Sequence, residues 1–179
     1  MVKFNTGLNR VLSVVTAVAL IVMMLHVVAH AMMRHFFDAP IYGTNELVAY
    51  WYLPAVALLG IPAAQLRNEQ ITVSLLVDRM KPMSALIFKV FGCVLGSIIA
   101  LGFAWFGLGE AMEKMEIRAT AGVVDIVAWP VYFLVPIVFV LLAILYVIDM
   151  VMSIRARAPE VDLVAGTTAE HETEEDSAL

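Results

Sequence analysis

Residues 11–33 read VLSVVTAVALIVMMLHVVAHAMM, twenty-three positions without a formal charge. A helix needs about 20 apolar residues to cross the ~30 Å hydrocarbon core of a bilayer. The run is longer than the apolar core of a signal peptide, and no small-x-small cleavage site with a soluble chain after it follows. It therefore predicts a retained membrane-spanning helix.

Working outward, three more runs have the same character. Residues 47–66 read LVAYWYLPAVALLGIPAAQL, residues 85–108 ALIFKVFGCVLGSIIALGFAWFGL, and residues 129–154 WPVYFLVPIVFVLLAILYVIDMVMSI. The 179-residue chain is 62% hydrophobic and 15% charged, with a mean hydropathy of +0.90. Soluble domains are closer to half apolar and about a quarter charged. Backbone groups in lipid must be paired within the segment, so helices are the default. Continuous rather than alternating apolar runs argue against a β-barrel. The expected fold is an all-α integral membrane protein with four transmembrane helices. Pro54, Gly60 and Pro62 make the second span the one to kink.

Basic residues set the expected orientation. Lys3 and Arg10 precede the first span, Arg67, Arg79, Lys81 and Lys89 surround the second connection, and Arg155 and Arg157 follow the last span. Only Arg34, Lys114 and Arg118 fall on the other side. Both termini are expected in the cytoplasm. The second connection, LRNEQITVSLLVDRMKP (residues 66–82), is too polar to span and too apolar for a free loop. Val73, Leu76, Val77 and Met80 share one helical face, which predicts a short amphipathic helix at the interface. Asn68 or Thr72 would cap it and Pro82 would stop it. In the third connection, Glu110, Glu113 and Lys114 extend the third span by a turn or two, and Thr120, Ala121 and Gly122 break it. The tail carries seven acids after Arg157 and no basic residue. Such a composition predicts disorder. The domain division is thus residues 1–157 for the membrane body and 158–179 for an acidic cytoplasmic tail.

Candidate chemistry is sparse. His26 and His30 share a face of the first span. Bis-histidine haem in a bundle needs ligands facing each other from two helices, and no second span offers one. Hydrogen bonding at a helix interface is the competing reading. Asp149 is the only acid inside an apolar run. A small exporter with an acid in its first span is a poor match, because that span here has none. G-x-S-x-G and H-E-x-x-H are both absent, so no enzyme, cofactor or nucleic-acid partner is expected. The single cysteine, Cys93, allows no intrachain disulfide and excludes a four-helix thiol oxidase, which needs cysteine pairs. Gly92, Gly96, Ser97 and Ala100 form a small-residue stripe suited to close helix contact, within the subunit or with a partner.

The order of motifs resembles a known family. Arg34 ends the first span with aromatics behind it (RHFF), followed by Pro40, and Glu46 opens the second. Arg67 and QITVSLLVDRM come next, and WPVYFLVP, with Trp129 and Pro130, opens the fourth span. Over about residues 8–155 the chain is similar to the small membrane subunit of tripartite ATP-independent periplasmic (TRAP) transporters, the DctQ-like small permeases. One departure lies after Arg67: the family often has R-x-G-x-H-I, whereas RNEQI stands here, and a hydrogen-bonding role could survive in Gln70.

The resemblance implies a scaffold subunit in the bacterial inner membrane. Its partners would be a large DctM-like membrane subunit, which holds the substrate and sodium sites, and a DctP-like periplasmic binding protein that delivers an organic acid. Membrane lipids would surround it. Position and resemblance together suggest partner or scaffold contacts at Arg34, Glu46, Arg67, Gln70, Asp78, Trp129 and Pro130. Arg34 and Glu46 are expected to form a charged pair near the outer surface, and Arg67 and Asp78 to fix the interfacial segment. A haem-binding electron-transfer anchor and a self-sufficient exporter are the alternatives.

Overall fold

The computed structural model describes residues 2–67, 82–122, 125–157 and 163. Its helices are α1 (Val2–Phe37), α2 (Thr44–Leu47), a single π-helical turn (Val48–Tyr52), α3 (Leu53–Leu66), α4 (Pro82–Glu116), α5 (Trp129–Tyr132) and α6 (Leu134–Ala156). They make four apolar stretches long enough to cross a membrane: Asn5–Phe37, Thr44–Leu66, Met83–Glu116 and Trp129–Ala156. All four expected spans are present, and the chain is a multi-pass, all-α membrane protein. The expected interfacial helix, with Gln70 and Asp78, lies outside the described residues, as does most of the acidic tail.

The spans run alternately up and down. One end of the molecule carries the start of α1 and the end of α6, and is called the terminal end below. The other carries the connections 38–43 and 117–128 and is called the loop end. α4 has 35 residues, about 52 Å at 1.5 Å per residue. It therefore outruns the ~30 Å core, and part of the surplus is the charged stretch through Glu110, Glu113 and Lys114. Lys114 Nζ lies 3.0 Å from Glu110 Oε1, one helical turn away.

The helices form a row rather than a closed bundle. α1 packs on α3, α3 on α6, and α6 on α4. α6 is the most buried of the spans, and α1 is among the least. Small residues explain the close α4–α6 contact. Cys93, Ser97, Ala100, Ala104, Gly107 and Ala111 recur at alternating steps of four and three. This is the period that keeps one seam facing a partner helix. Cys93, Ala100, Ala104 and Ala111 are buried. A Cβ added at Gly107 would lie 2.8 Å from Val135 Cγ1, and one at Gly96 would lie 3.0 Å from the Tyr146 ring. The small-residue stripe thus serves contact within the subunit, except at Gly92, where a Cβ would meet nothing within 4 Å.

On its other side, α6 joins a second cluster near the terminal end. Leu12, Leu66, Leu145 and Leu163 are its buried members, with Leu8, Leu59, Leu141, Ile148 and Met152 packed around them. Asn5 Nδ2 donates to the Leu163 carbonyl at 2.9 Å. Leu163 thus packs against the start of α1.

The second span does change geometry at its prolines, but as a π turn rather than a break. Pro54 has no N–H to give the carbonyl four residues back, and its ring crowds that carbonyl. The carbonyl belongs to Tyr50, inside the π turn. Pro62 sits within α3 without ending it.

The loop-end connection after α4 is tightly built. Ala119 N–H donates to Lys114 O at 2.9 Å and Arg118 N–H to Met115 O at 3.1 Å. With Arg118 at φ 48°, this is a Schellman cap with arginine in the place glycine usually takes. The chain then doubles back: Ala121 N–H bonds Ile126 O at 2.7 Å, and Ala128 and Trp129 N–H both reach Ala119 O.

Candidate functional site

The main polar constellation joins three spans near the terminal end. Asp149, on α6, is fully buried. Lys89 Nζ lies 2.8 Å from its Oδ2. Gln65 Nε2 donates to the same oxygen at 3.2 Å, and the Cys93 thiol to it at 3.7 Å. Ser153, one turn further along α6, donates to Oδ1 at 3.4 Å. Lys89 and Cys93 are four apart on α4 and so share the face that meets α6. Lys89 lies seven residues after Pro82 and Asp149 seven before Ala156. Both charges therefore sit about 10 Å along their helices from the same end.

Each ion loses several kcal/mol of hydration on burial, and only close geometry with further hydrogen bonds offsets that. Here the carboxylate has one cation and three neutral donors around it. The Lys89 side chain keeps 28% of its surface accessible, so its ammonium is only partly desolvated. The cluster clamps α3, α4 and α6 together. Read from sequence, Lys89 counts as an orientation charge and Asp149 as a lone acid. Equal depth in antiparallel spans was the signal that pairs them.

A second constellation ties α1 to the start of the second span at the loop end. Thr44 Oγ1 donates to Ile41 O at 3.1 Å. Its only hydrogen is then used, so at His26 Nε2, 3.3 Å away, it accepts. Nε2 therefore carries the proton, and His26 Nδ1 accepts from the Tyr52 hydroxyl at 3.4 Å. His30 Nδ1 donates to Ile41 O at 3.1 Å. Both His26 nitrogens and one of His30 are thus engaged, as the interface reading expects. No described histidine lies outside α1, so no second helix offers haem a ligand among the described residues. Positions eight apart on an α-helix differ by about 80° in direction. The wider π turn between Thr44 and Tyr52 brings both onto His26.

The expected Arg34–Glu46 pair is not formed among the described residues. Glu46 follows Thr44 by two positions, about 200° round the helix. Since Thr44 faces α1, Glu46 faces away from it. It lies against Gly122 instead, where an added Cβ would sit 3.7 Å from Glu46 Cγ. Arg34 is exposed at the end of α1, beside exposed Phe36, Phe37 and, beyond them, Tyr42.

The remaining candidates brace the framework. Arg67 Nε donates to Asn9 Oδ1 at 3.4 Å and Nη2 to Ser13 Oγ at 3.3 Å, joining the end of α3 to α1. Trp129 opens the fourth span, half-buried, with its ring edge-on to Phe133 at 6.2 Å. Pro130 stands in the first turn of α5, where no N–H is needed. Trp51 Nε1 donates to Val127 O at 2.8 Å, a contact that position at an interface did not single out.

These features define a multi-pass helical membrane protein in which a lysine and an aspartate on neighbouring spans form an ion pair. The family model for tripartite ATP-independent periplasmic transporters, DctQ component, matches residues 23–156. The chain belongs to that family, a transporter component and not an enzyme family. No curated protein and no solved structure matches it.

Proposed function

We propose that this subunit is the non-catalytic scaffold of a sodium-driven system that takes up an organic acid across the bacterial inner membrane. Both termini face the cytoplasm in this reading. A DctP-like binding protein delivers the acid, and a large DctM-like subunit carries the substrate and sodium sites. The observation that supports it best is the Lys89–Asp149 ion pair. An acid transporter needs a cationic or half-helix site open to its substrate at membrane depth. Here the half-buried cation already has its anion.

The loop end would face the periplasm. Exposed Arg34, with Phe36, Phe37 and Tyr42, is then the surface offered to the binding protein. Glu46, Trp129 and Pro130 shape the loop-end framework behind it. Arg67 would work with Gln70 and Asp78 on the cytoplasmic side.

Reconstitution tests the division of labour. Uptake of a labelled carboxylate should require this chain, the large subunit, the binding protein and an inward sodium gradient together. Transport by this chain alone would defeat the proposal, as would a Soret band in its absorption spectrum. Topology can be read with Tyr42→Cys, since Tyr42 is 81% exposed and the native Cys93 is buried. A membrane-impermeant maleimide added to intact cells made permeable only at the outer membrane should label it. Labelling only after the inner membrane is opened would reverse the orientation.

A further inference from the structure

The last span ends at Ala156, and Arg157 follows in the left-handed conformation at φ 54°. A helix continued straight would carry residue 163 about 16 Å beyond Met152, at 1.5 Å per residue. Leu163 instead lies in the apolar cluster against which Ile148 and Met152 pack, and none of its surface is exposed. We propose that Leu163 is a latch. Its side chain plugs the cleft where α1, α3 and α6 meet, and its carbonyl holds the buried Asn5 amide, so that the start of α1 stays fastened to the row.

Three observations carry this. The first is where the cluster draws its buried members. Leu12 comes from α1, Leu66 from α3 and Leu145 from α6, and Leu163 is the one described member outside the spans. The second is the weak hold on α1. It is among the least buried spans, and its main helix contact is with α3, with none of comparable size on α6. A residue from beyond α6 supplies the link that direct helix packing does not. The third is Asn5. Its side chain is fully buried, its amide donates to the Leu163 carbonyl at 2.9 Å, and its Oδ1 has no partner among the described residues. That bond is what offsets the burial of the amide, and a buried donor stripped of its acceptor carries the full cost of desolvation.

Asn5 and Leu163 both lie outside residues 23–156, the stretch matched by the family model. The latch therefore joins the two flanks of the matched region and does not rest on the subunit's part in uptake. It also fills the cleft with a segment of this chain, so that face is closed to another subunit.

The full chain is placed in lipid nanodiscs, where both membrane faces are open to solvent. Leu163→Cys and Arg157→Cys are labelled separately with a membrane-impermeant maleimide. The native chain is the blank, because Cys93 is buried. Arg157 is exposed, and position 163 should react at least about tenfold more slowly, the factor for ~1.4 kcal/mol. Adding Asn5→Ala should speed labelling at 163 about fivefold, as expected for one lost hydrogen bond, and leave Arg157→Cys unchanged. Equal rates at the two positions would overturn the latch. So would protection that survives Asn5→Ala, since lipid alone would then shield the thiol.

Hydrogen exchange gives a second reading. Leu163→Asp puts a charge in the cleft and should speed exchange of amides 6–12 at least about tenfold, while amides 93–111 of α4 stay within about twofold. Leu163→Met, a swap of similar volume, should match the native chain. No change at 6–12, or equal acceleration in α4, would defeat the proposal. Co-assembly with the large subunit should leave position 163 protected; its exposure in the complex would mean that a partner displaces the latch, and would also overturn it.

Discussion

Between α4 and α6, small residues let two backbones close on each other, and a buried ion pair locks one end of the seam. Between α1 and α3 the contact is looser. Hydrogen bonds fasten it at both ends, through His26 at the loop end and Arg67 at the terminal end, and a groove remains open between them. Both pairs are apolar enough to span a membrane, so apolar character alone does not explain the difference. In lipid, burying a leucine against another helix only replaces contact with a tail. Packing of small residues and polar bonds between helices decide which pairs hold tightly.

The sharpest way to break that contrast is at the ion pair. Asp149→Leu leaves Lys89 without its anion and should cost about 3 kcal/mol, the low end for a broken buried pair, because Lys89 keeps some exposure. Adding Lys89→Met should recover most of the loss. Thermal unfolding of the two single variants and the double variant in detergent would read the coupling; additive losses would mean that the charges do not depend on each other.

Glycine substitutions come next in size and separate seam from surface directly. Gly107→Ala should destabilise by about 1–3 kcal/mol, since the new Cβ collides with Val135. Gly102→Ala, where a Cβ meets nothing within 4 Å, should be neutral or stabilising by up to about 1 kcal/mol through helix propensity. The same melting curves would show whether that order holds.

On the looser side, effects shrink. Tyr52→Phe removes one hydrogen bond to His26 and should cost about 0.6 kcal/mol, the average found for such bonds between membrane helices. Faster hydrogen exchange of the amides in 41–44 would be its local signature. At the small end, Arg34→Glu with Glu46→Arg should give no mutual rescue in assembly or uptake beyond the two single variants, because the two side chains form no ion pair. Restoration by the double swap would show that they meet in the assembled complex.

The spans were legible because about 20 uncharged residues in a row admit few other readings. Their ends were less so. α1 and α4 continue as helix past the apolar runs, where only charged residues mark the exit. The Arg34–Glu46 pairing failed for a geometric reason: closeness in a short connection says nothing about helical phase, and Thr44 had already claimed the face toward α1. The Lys89–Asp149 clamp could have been found by comparing depths along antiparallel spans. Each charge alone had a blander explanation, and those explanations kept the two apart. The hydrogen bond from Trp51 to the Val127 carbonyl depends on the path of a loop, and no pattern in the sequence encodes it. The row-like packing order also escapes sequence, since all four spans are apolar on every side.

The π turn at Val48–Tyr52 acts as a phase adjuster within the second span. Above it, Thr44 must point at α1; below it, Gln65 must point at α6. Closing the turn to regular α-helix with every residue kept would rotate one half against the other by about 100°. His26 or Asp149 would then lose its partner on that span. The wide turn thus absorbs one extra residue, and deleting one residue within it should restore regular α-helix with both halves still in phase.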